Sequence, residues 1–144
     1  MFEDGGSTNG GENMTGLFLK NYLYTLLPFV ALDAVWLGLA AKKFYRSQIG
    51  YIMAERPNWI AAAVFYLLFI AGMVFFVTGR EGTLQEAAFR GAVFGLICYA
   101  TYDLTNLATI RRWPIIVTVV DMAWGTFLGG STAFIAVWLK GLFS

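Results

Sequence analysis

Long apolar stretches separated by short polar ones divide most of this chain into four segments. These stretches cover residues 17–41, 59–78, 84–110 and 114–138, after a beginning rich in Gly, Ser and Asn over residues 1–15. Each stretch is at least as long as the ~20 residues that a helix needs to cross the hydrocarbon core of a bilayer. The pattern predicts an all-α integral membrane bundle of four transmembrane helices over residues 16–144, preceded by a disordered tail.

Local motifs indicate where these helices begin. Pro57-Asn58-Trp59 opens the second span, since proline suits a first helical turn and tryptophan suits a membrane interface. Thr83-Leu84-Gln85-Glu86 matches a capping box, which predicts the start of the third span. Glu86 is also spaced to pair with Arg90 one turn later. Residues 44–55 are too short and polar to cross a membrane, and both an amphipathic surface helix and a solvated loop fit them.

Basic residues are distributed unevenly between the two predicted faces of the bundle. Six follow the first and third spans, namely Lys42, Lys43, Arg46, Arg56, Arg111 and Arg112. The opposite face has four, namely Lys20, Arg80, Arg90 and Lys140. The positive-inside rule therefore places the first and third connections in the cytoplasm and both termini on the outer side.

A polar stretch interrupts the third span at residues 99–106, which read Tyr-Ala-Thr-Tyr-Asp-Leu-Thr-Asn. Its acid, Asp103, precedes Arg111 by eight residues, which is about 12 Å along a helix. An ionisable side chain at that depth is costly to bury, and such residues commonly mark functional sites. Asp103 is therefore the first candidate site residue.

Two further carboxylates, Asp33 and Asp121, lie inside the first and fourth spans. Each is nine residues from the basic residues of the same face, so all three acids lie about 12–14 Å from it. No basic residue lies at that depth, and three unpaired anions would repel one another. We therefore expect a buried carboxylate cluster that holds a proton or a cation. Asn106, one turn beyond Asp103, shares its helix face and joins the candidate site.

The sequence D-x-x-W occurs twice, at Asp33 to Trp36 and at Asp121 to Trp124. The spacing places acid and indole on one helix face. Because the two helices run in opposite directions, the tryptophans are expected on opposite sides of the acids. Inverted pairs are typical of transporter repeats, although these matches are only four residues long. Trp36 and Trp124 are candidate site residues, and bulk packing is the competing interpretation.

Two glycine pairs predict close contact between the third and fourth helices. Gly91 and Gly95, and then Gly125 and Gly129, each form G-x-x-x-G, a spacing that lets helix backbones approach. Both pairs lie in the outer half of the bundle. A bundle that is tight there and looser near the acids would favour a pocket reached from the cytoplasm or the inner leaflet.

Composition narrows the chemistry. Of the 144 residues 58% are hydrophobic and only 13% charged, about half the charged fraction of a soluble domain. The absence of histidine excludes histidine-ligated haem, zinc and di-iron sites. No basic run suggests nucleic acid. No cofactor and no metal site are predicted, and Cys98 is interpreted as a small buried apolar residue.

Three motifs in the same order resemble a known bacterial family. They are Leu32-Asp33-Ala34-Val35-Trp36-Leu37-Gly38, Tyr102-Asp103-Leu104-Thr105-Asn106-Leu107 and Val120-Asp121-Met122-Ala123-Trp124-Gly125. The family consists of small predicted membrane proteins catalogued only as a domain of unknown function, family 2177. The resemblance covers residues 15–143 and implies a four-helix protein of the bacterial inner membrane. It implies no activity, ligand or catalytic residue.

Three functional hypotheses follow. The favoured one is a binding or transport module whose acids hold a proton or cation together with a small or lipidic ligand. The second is a structural or assembly partner of another membrane complex, in which the acids join helices. The third is a lipid-modifying enzyme using the acids as general acid and base, ranked last because no nucleophile or metal constellation accompanies them. The bilayer is the expected partner, and a homo-oligomer is compatible with each hypothesis.

Overall fold

Four helical rods pack side by side in the structure, a computed structural model that describes residues 9–143, with side chains from residue 14 onward. The first rod is α1 (Asn9–Trp36), a π-helical segment (Leu37–Ala41), α2 (Lys42–Ile49) and a 3-10 turn (Gly50–Ile52). The others are α3 (Trp59–Met73) with a π-helical end (Val74–Thr78), α4 (Leu84–Thr109) and α5 (Ile115–Phe143). The structure is 88% helical with no strand among the described residues, which confirms the all-α prediction.

Three of the rods are long and apolar enough to cross a membrane within the described part of the chain. They are Met14–Ile52, Trp59–Thr78 and Ile115–Phe143. Helix α4 has 26 residues, which is sufficient length, but the polar stretch at residues 99–106 lowers its hydropathy. It lies against α5 in the most extensive contact between helices in the structure.

Large apolar side chains cover the outside of the bundle. Leu39, Ile60 and Phe89 are 71–82% exposed, whereas Phe29 and Leu128 in the core are fully buried. Exposing such a surface to water would cost free energy. Exposing it to hydrocarbon does not, because lipid tails are as apolar as leucine. The exposed apolar surface therefore agrees with a bundle surrounded by lipid.

The ends of the first rod differ from the sequence pattern. Residues 1–8 of the predicted tail lie outside the described residues, and residues 9–15 form the first turns of α1. Glycine and asparagine are weak helix formers, so continuity with the apolar turns that follow sustains this start. Residues 44–52 are helical and continue the first rod, so they do not form a loop, and their position on the membrane surface stays a prediction.

The predicted helix starts are confirmed. The Asn58 side chain accepts a hydrogen bond from the Ala61 amide at 3.1 Å, which caps α3. Thr83 and Glu86 bond reciprocally at 3.1 and 2.8 Å, which completes the capping box of α4. Glu86 also pairs with Arg90 at 3.6 Å. These contacts set where α3 and α4 begin.

Helices α4 and α5 approach each other through glycine. A Cβ added at Gly91 would collide with the Gly129 carbonyl oxygen, and one added at Gly95 would collide with that of Gly125. The two backbones are therefore in direct contact. Past this contact towards Thr109, the ring of Tyr99 packs onto Gly125, which positions a phenol beside the acidic residues.

Candidate functional site

Asp103 and Asp121 form a buried carboxyl pair between α4 and α5. Asp103 is 0% exposed and Asp121 is 6% exposed. The Asp121 carboxyl lies next to that of Asp103. Among the described residues, neither Oδ1 nor Oδ2 of Asp103 has a hydrogen-bond donor. Two carboxylates cannot bond to each other unless one of them carries a proton.

The end of the pair that faces the α4–α5 turn is closed by side chains from three elements. Tyr45 of α2 donates its hydroxyl hydrogen bond to Oδ1 of Asp121. Trp113 is buried and donates from Nε1 to the Thr118 hydroxyl at 3.1 Å. The Thr118 hydroxyl in turn lies 3.4 Å from the backbone carbonyl of Asp103. These contacts fix the acids against the turn between α4 and α5.

Asp33 is not part of this pair. It is 7% exposed, and its two carboxylate oxygens accept hydrogen bonds from different helices. Tyr66 of α3 donates to Oδ2, and Trp124 Nε1 of α5 donates to Oδ1 at 3.4 Å. Asp33 therefore joins α1, α3 and α5 through hydrogen bonds to both carboxylate oxygens, whereas those of Asp103 have no donor among the described residues.

The two tryptophans stack on each other instead of lying on opposite sides of the acids, so that expectation was wrong. The Trp36 and Trp124 ring centroids are 4.6 Å apart with planes 13° from parallel. The reason is the axial register of α1 and α5, which brings the indole of Trp124 to the acid of α1. Trp124 bonds Asp33, and Trp36 lies beside the Tyr45 hydroxyl that bonds Asp121.

Asn106 and Tyr99 lie at the margin of the carboxyl pair. The Asn106 side chain is half-buried and interacts with the hydroxyl of Tyr102 one turn earlier on α4. Tyr99, which was not predicted as a site residue, packs its ring against Gly125 and lies in the same groove as Asp121.

A groove of about 300 Å³ opens beside the pair. Its lining comes from three helices and consists of Phe65, Cys98, Tyr99, Tyr102 and Asp121. Phe65 and Tyr102 are 47% and 58% exposed on the outside of the bundle, so the groove opens sideways. A second groove of about 320 Å³ lies at Asp33 and is lined by Val30, Ala34, Leu37 and Tyr66.

Tyr45 and Tyr66, which bond the acids, were not predicted as site residues. Tyr66 had a usable signal, since its hydroxyl lies in the middle of an otherwise apolar span and a buried phenol usually finds a partner. Tyr45 had none, because residues 44–55 were assigned to the membrane surface or to a loop. Among the described residues, no three acidic, cysteine or histidine side chains are arranged to hold a metal ion.

The fold and its enclosed acids define an all-α integral membrane protein with a buried polar centre. Residues 18–138 match the family described as "Predicted membrane protein (DUF2177)", and the chain belongs to this family. The resemblance read from the three motifs is thereby confirmed. No curated protein and no solved structure matches the chain.

Proposed function

We propose that this protein is a membrane binding or transport module in which Asp103 and Asp121 share one proton next to a ligand groove. The observation that supports this most directly is the Asp103 carboxyl, which is fully buried, has no donor among the described residues, and faces a second carboxyl. An unpaired charge in such a place costs several kcal/mol. A proton between the two acids removes one charge and supplies the missing hydrogen bond.

A proton fits this pair better than a metal cation. Hard cations such as Ca²⁺ take about six to eight oxygen ligands. Asp33, the third acid of the predicted cluster, already accepts hydrogen bonds from Tyr66 and Trp124. Tyr45 likewise bonds one oxygen of Asp121. Few carboxylate oxygens then remain for a cation, whereas a single proton needs only the two facing oxygens.

The three acids therefore divide into two roles. Asp33 accepts hydrogen bonds from side chains on two other helices and holds these helices together. The structural-partner hypothesis expects this role of a buried acid. Asp103 and Asp121 make the exchangeable site. An enzyme using the pair as general acid and base would need both carboxyls against its substrate, and Asp103 has no exposed surface.

Infrared spectroscopy of the protein in phosphatidylcholine bilayers near neutral pH tests the shared proton. The wild-type protein should show the carbonyl stretch of one protonated, poorly hydrated carboxyl group. Asp103→Asn and Asp121→Asn should each abolish that band. Asp33→Asn, the matched control on another helix, should retain it. A band that survives both pair variants, or one lost only in Asp33→Asn, would contradict the proposal.

The Asp103→Asn variant also distinguishes a proton site from a hydrogen-bond network that only stabilises the fold. An asparagine amide donates to Asp121 as a protonated carboxyl would, so the variant should fold and melt within a few degrees of wild type. Native mass spectrometry of both proteins and of Asp121→Asn then compares bound ligands. A bound mass present in the wild type and in Asp103→Asn but absent in Asp121→Asn supports a ligand site. A variant that melts much lower, with no bound mass in any of these proteins, would assign the acids to structure.

A further inference from the structure

The groove beside Asp121 has an unusual combination of chemistry for a membrane-facing cavity. Three aromatic rings, Phe65, Tyr99 and Tyr102, form its walls, and one carboxylate, Asp121, lies at its buried end. Cys98, the chain's single cysteine, completes the lining. None of the described residues that line the groove is basic. An aromatic enclosure around a carboxylate is the environment that attracts organic ammonium groups, through both ring faces and charge.

We propose that this groove binds the ammonium head of a hydrophobic amine, with its alkyl or aryl body extending sideways between α3 and α4 into the bilayer. The inference rests on the proposed function in one respect: a pair sharing one proton keeps a single negative charge. Among the described residues, Tyr45 donates a hydrogen bond to this charge. No basic side chain among them pairs with it, since the one ion pair they form, Arg90 with Glu86, lies at the opposite end of α4.

The position of the groove argues against a phospholipid headgroup. Tyr99, Tyr102 and Asp103 lie on one helix, and Asp103 is about 12 Å along it from Arg111. A phosphate drawn to that depth would need a cationic partner, and none of the lining residues is cationic. A phosphate-free amine with an apolar body meets no such penalty. The lateral opening past the exposed Phe65 and Tyr102 lets such a molecule arrive from the hydrocarbon.

The groove at Asp33 provides a comparison within the same molecule. It has similar volume and also contains a carboxylate, but Asp33 accepts protein hydrogen bonds on both oxygens, from Tyr66 and Trp124, whereas Asp121 accepts one, from Tyr45. Only one aromatic ring, that of Tyr66, lines it. A cation would gain little there, so binding should depend on Asp121 and not on Asp33.

Cys98 allows a direct test without introducing a reporter. The full-length protein in phosphatidylcholine bilayers is treated with membrane-permeant N-ethylmaleimide, and modification of Cys98 is followed by mass spectrometry. Decylammonium should slow modification several-fold, whereas decanol and decyl sulfate at equal membrane concentrations should not. Because only the head of the probe changes, this comparison needs no variant. Equal protection by decanol would overturn the proposal, since any chain would then fill the groove.

Variants test whether protection of Cys98 by decylammonium depends on Asp121. Asp121→Asn should raise the decylammonium concentration for half-protection by about tenfold, the loss expected for a charge-assisted hydrogen bond. Asp33→Asn should leave it unchanged. An unchanged value in Asp121→Asn overturns the proposal. Protection by added phosphatidylethanolamine alone would assign the groove to a lipid headgroup and also overturn it.

The two proposals fail separately in these experiments. Lack of protection by decylammonium, with the infrared band of the shared proton intact, would overturn only the amine site. Absence of that band in the wild type would overturn the shared proton, and protection could then persist at a doubly charged pair.

Discussion

Asp33 and Asp121 each precede a tryptophan by three residues, but the two acids have different surroundings. Asp33 accepts from a tyrosine and an indole on two other helices, whereas Asp121 faces a second carboxyl. A buried carboxylate with two donors is satisfied, and one facing an acid is not. The same D-x-x-W spacing therefore places one acid between two donors and the other beside a second carboxyl.

Removing the Tyr66 hydroxyl tests the role of Asp33 as a joint. Tyr66→Phe leaves a buried carboxylate with one donor and should lower the free energy of unfolding by about 1.5–3 kcal/mol. Tyr22→Phe is the matched control, because Tyr22 also bonds between α1 and α3, to the Leu67 backbone carbonyl at 3.1 Å. That neutral bond should contribute about 0.5–1.5 kcal/mol. Equal losses in thermal or denaturant unfolding would argue against a stabilising carboxylate bond at Asp33.

A regular α-helical pattern does not predict that Tyr45 lies near Asp121. Twelve residues of α-helix after Asp33 would turn Tyr45 about 120° away from the face of Asp33. The π-helical segment Leu37–Ala41 has wider turns that rotate less per residue, so Tyr45 is turned back towards Asp121. Such segments often occur at functional sites. Hydropathy does not reveal them, because every residue from Leu37 to Ala41 is apolar or glycine.

The glycine contact between α4 and α5 sets how closely the two halves of the carboxyl pair approach. Gly95 contacts the backbone of Gly125, on which the ring of Tyr99 also packs. Spacing alone was enough to propose this contact, because G-x-x-x-G places both glycines on one face. The acid pair lies further along the same two helices, so any separation of the glycines would also separate Asp103 from Asp121.

Alanine substitution tests whether the carboxyl pair depends on the glycine contact between α4 and α5. Gly95→Ala places a methyl group against the Gly125 carbonyl and should destabilise the protein by about 1–3 kcal/mol, the usual cost of overpacking. It should also weaken the shared-proton band. Gly16→Ala, the same change in α1 with no atom within 4 Å of the new Cβ, should be neutral or stabilising by up to about 1 kcal/mol. Similar melting temperatures for the two variants would show that α4 and α5 can separate without cost.

For the molecule as a whole, orientation in the membrane decides which compartment the closed end of the pair faces. The excess of basic residues beside α2 and in the α4–α5 turn predicts that this end is cytoplasmic. The same side carries Tyr45, Trp113 and Thr118, which close the pair. Entry through the lateral groove would then occur from the inner leaflet.

Cysteine labelling in intact bacterial cells checks the orientation. In a Cys98→Ala background, Glu81→Cys in the turn before α4 should react with an impermeant maleimide added outside. Ser47→Cys in α2 should react only after the cells are opened. Both residues are exposed, so accessibility to the reagent depends on the side of the membrane alone. The reverse pattern would show that both termini lie in the cytoplasm.

The sequence by itself determined the elements of this protein: four apolar segments, their capping residues, the acids buried within them and the glycines that let two helices meet. Each follows from a local rule, because bilayer thickness, helix caps and residue spacing act within one segment. Only the tertiary structure decided which acids meet and which side chains bond them. A shift of three residues between two helices is about 4.5 Å, enough to exchange an acid for an indole. That register results from packing along the whole length of α1, α3, α4 and α5. It cannot be predicted from the sequence of any one helix.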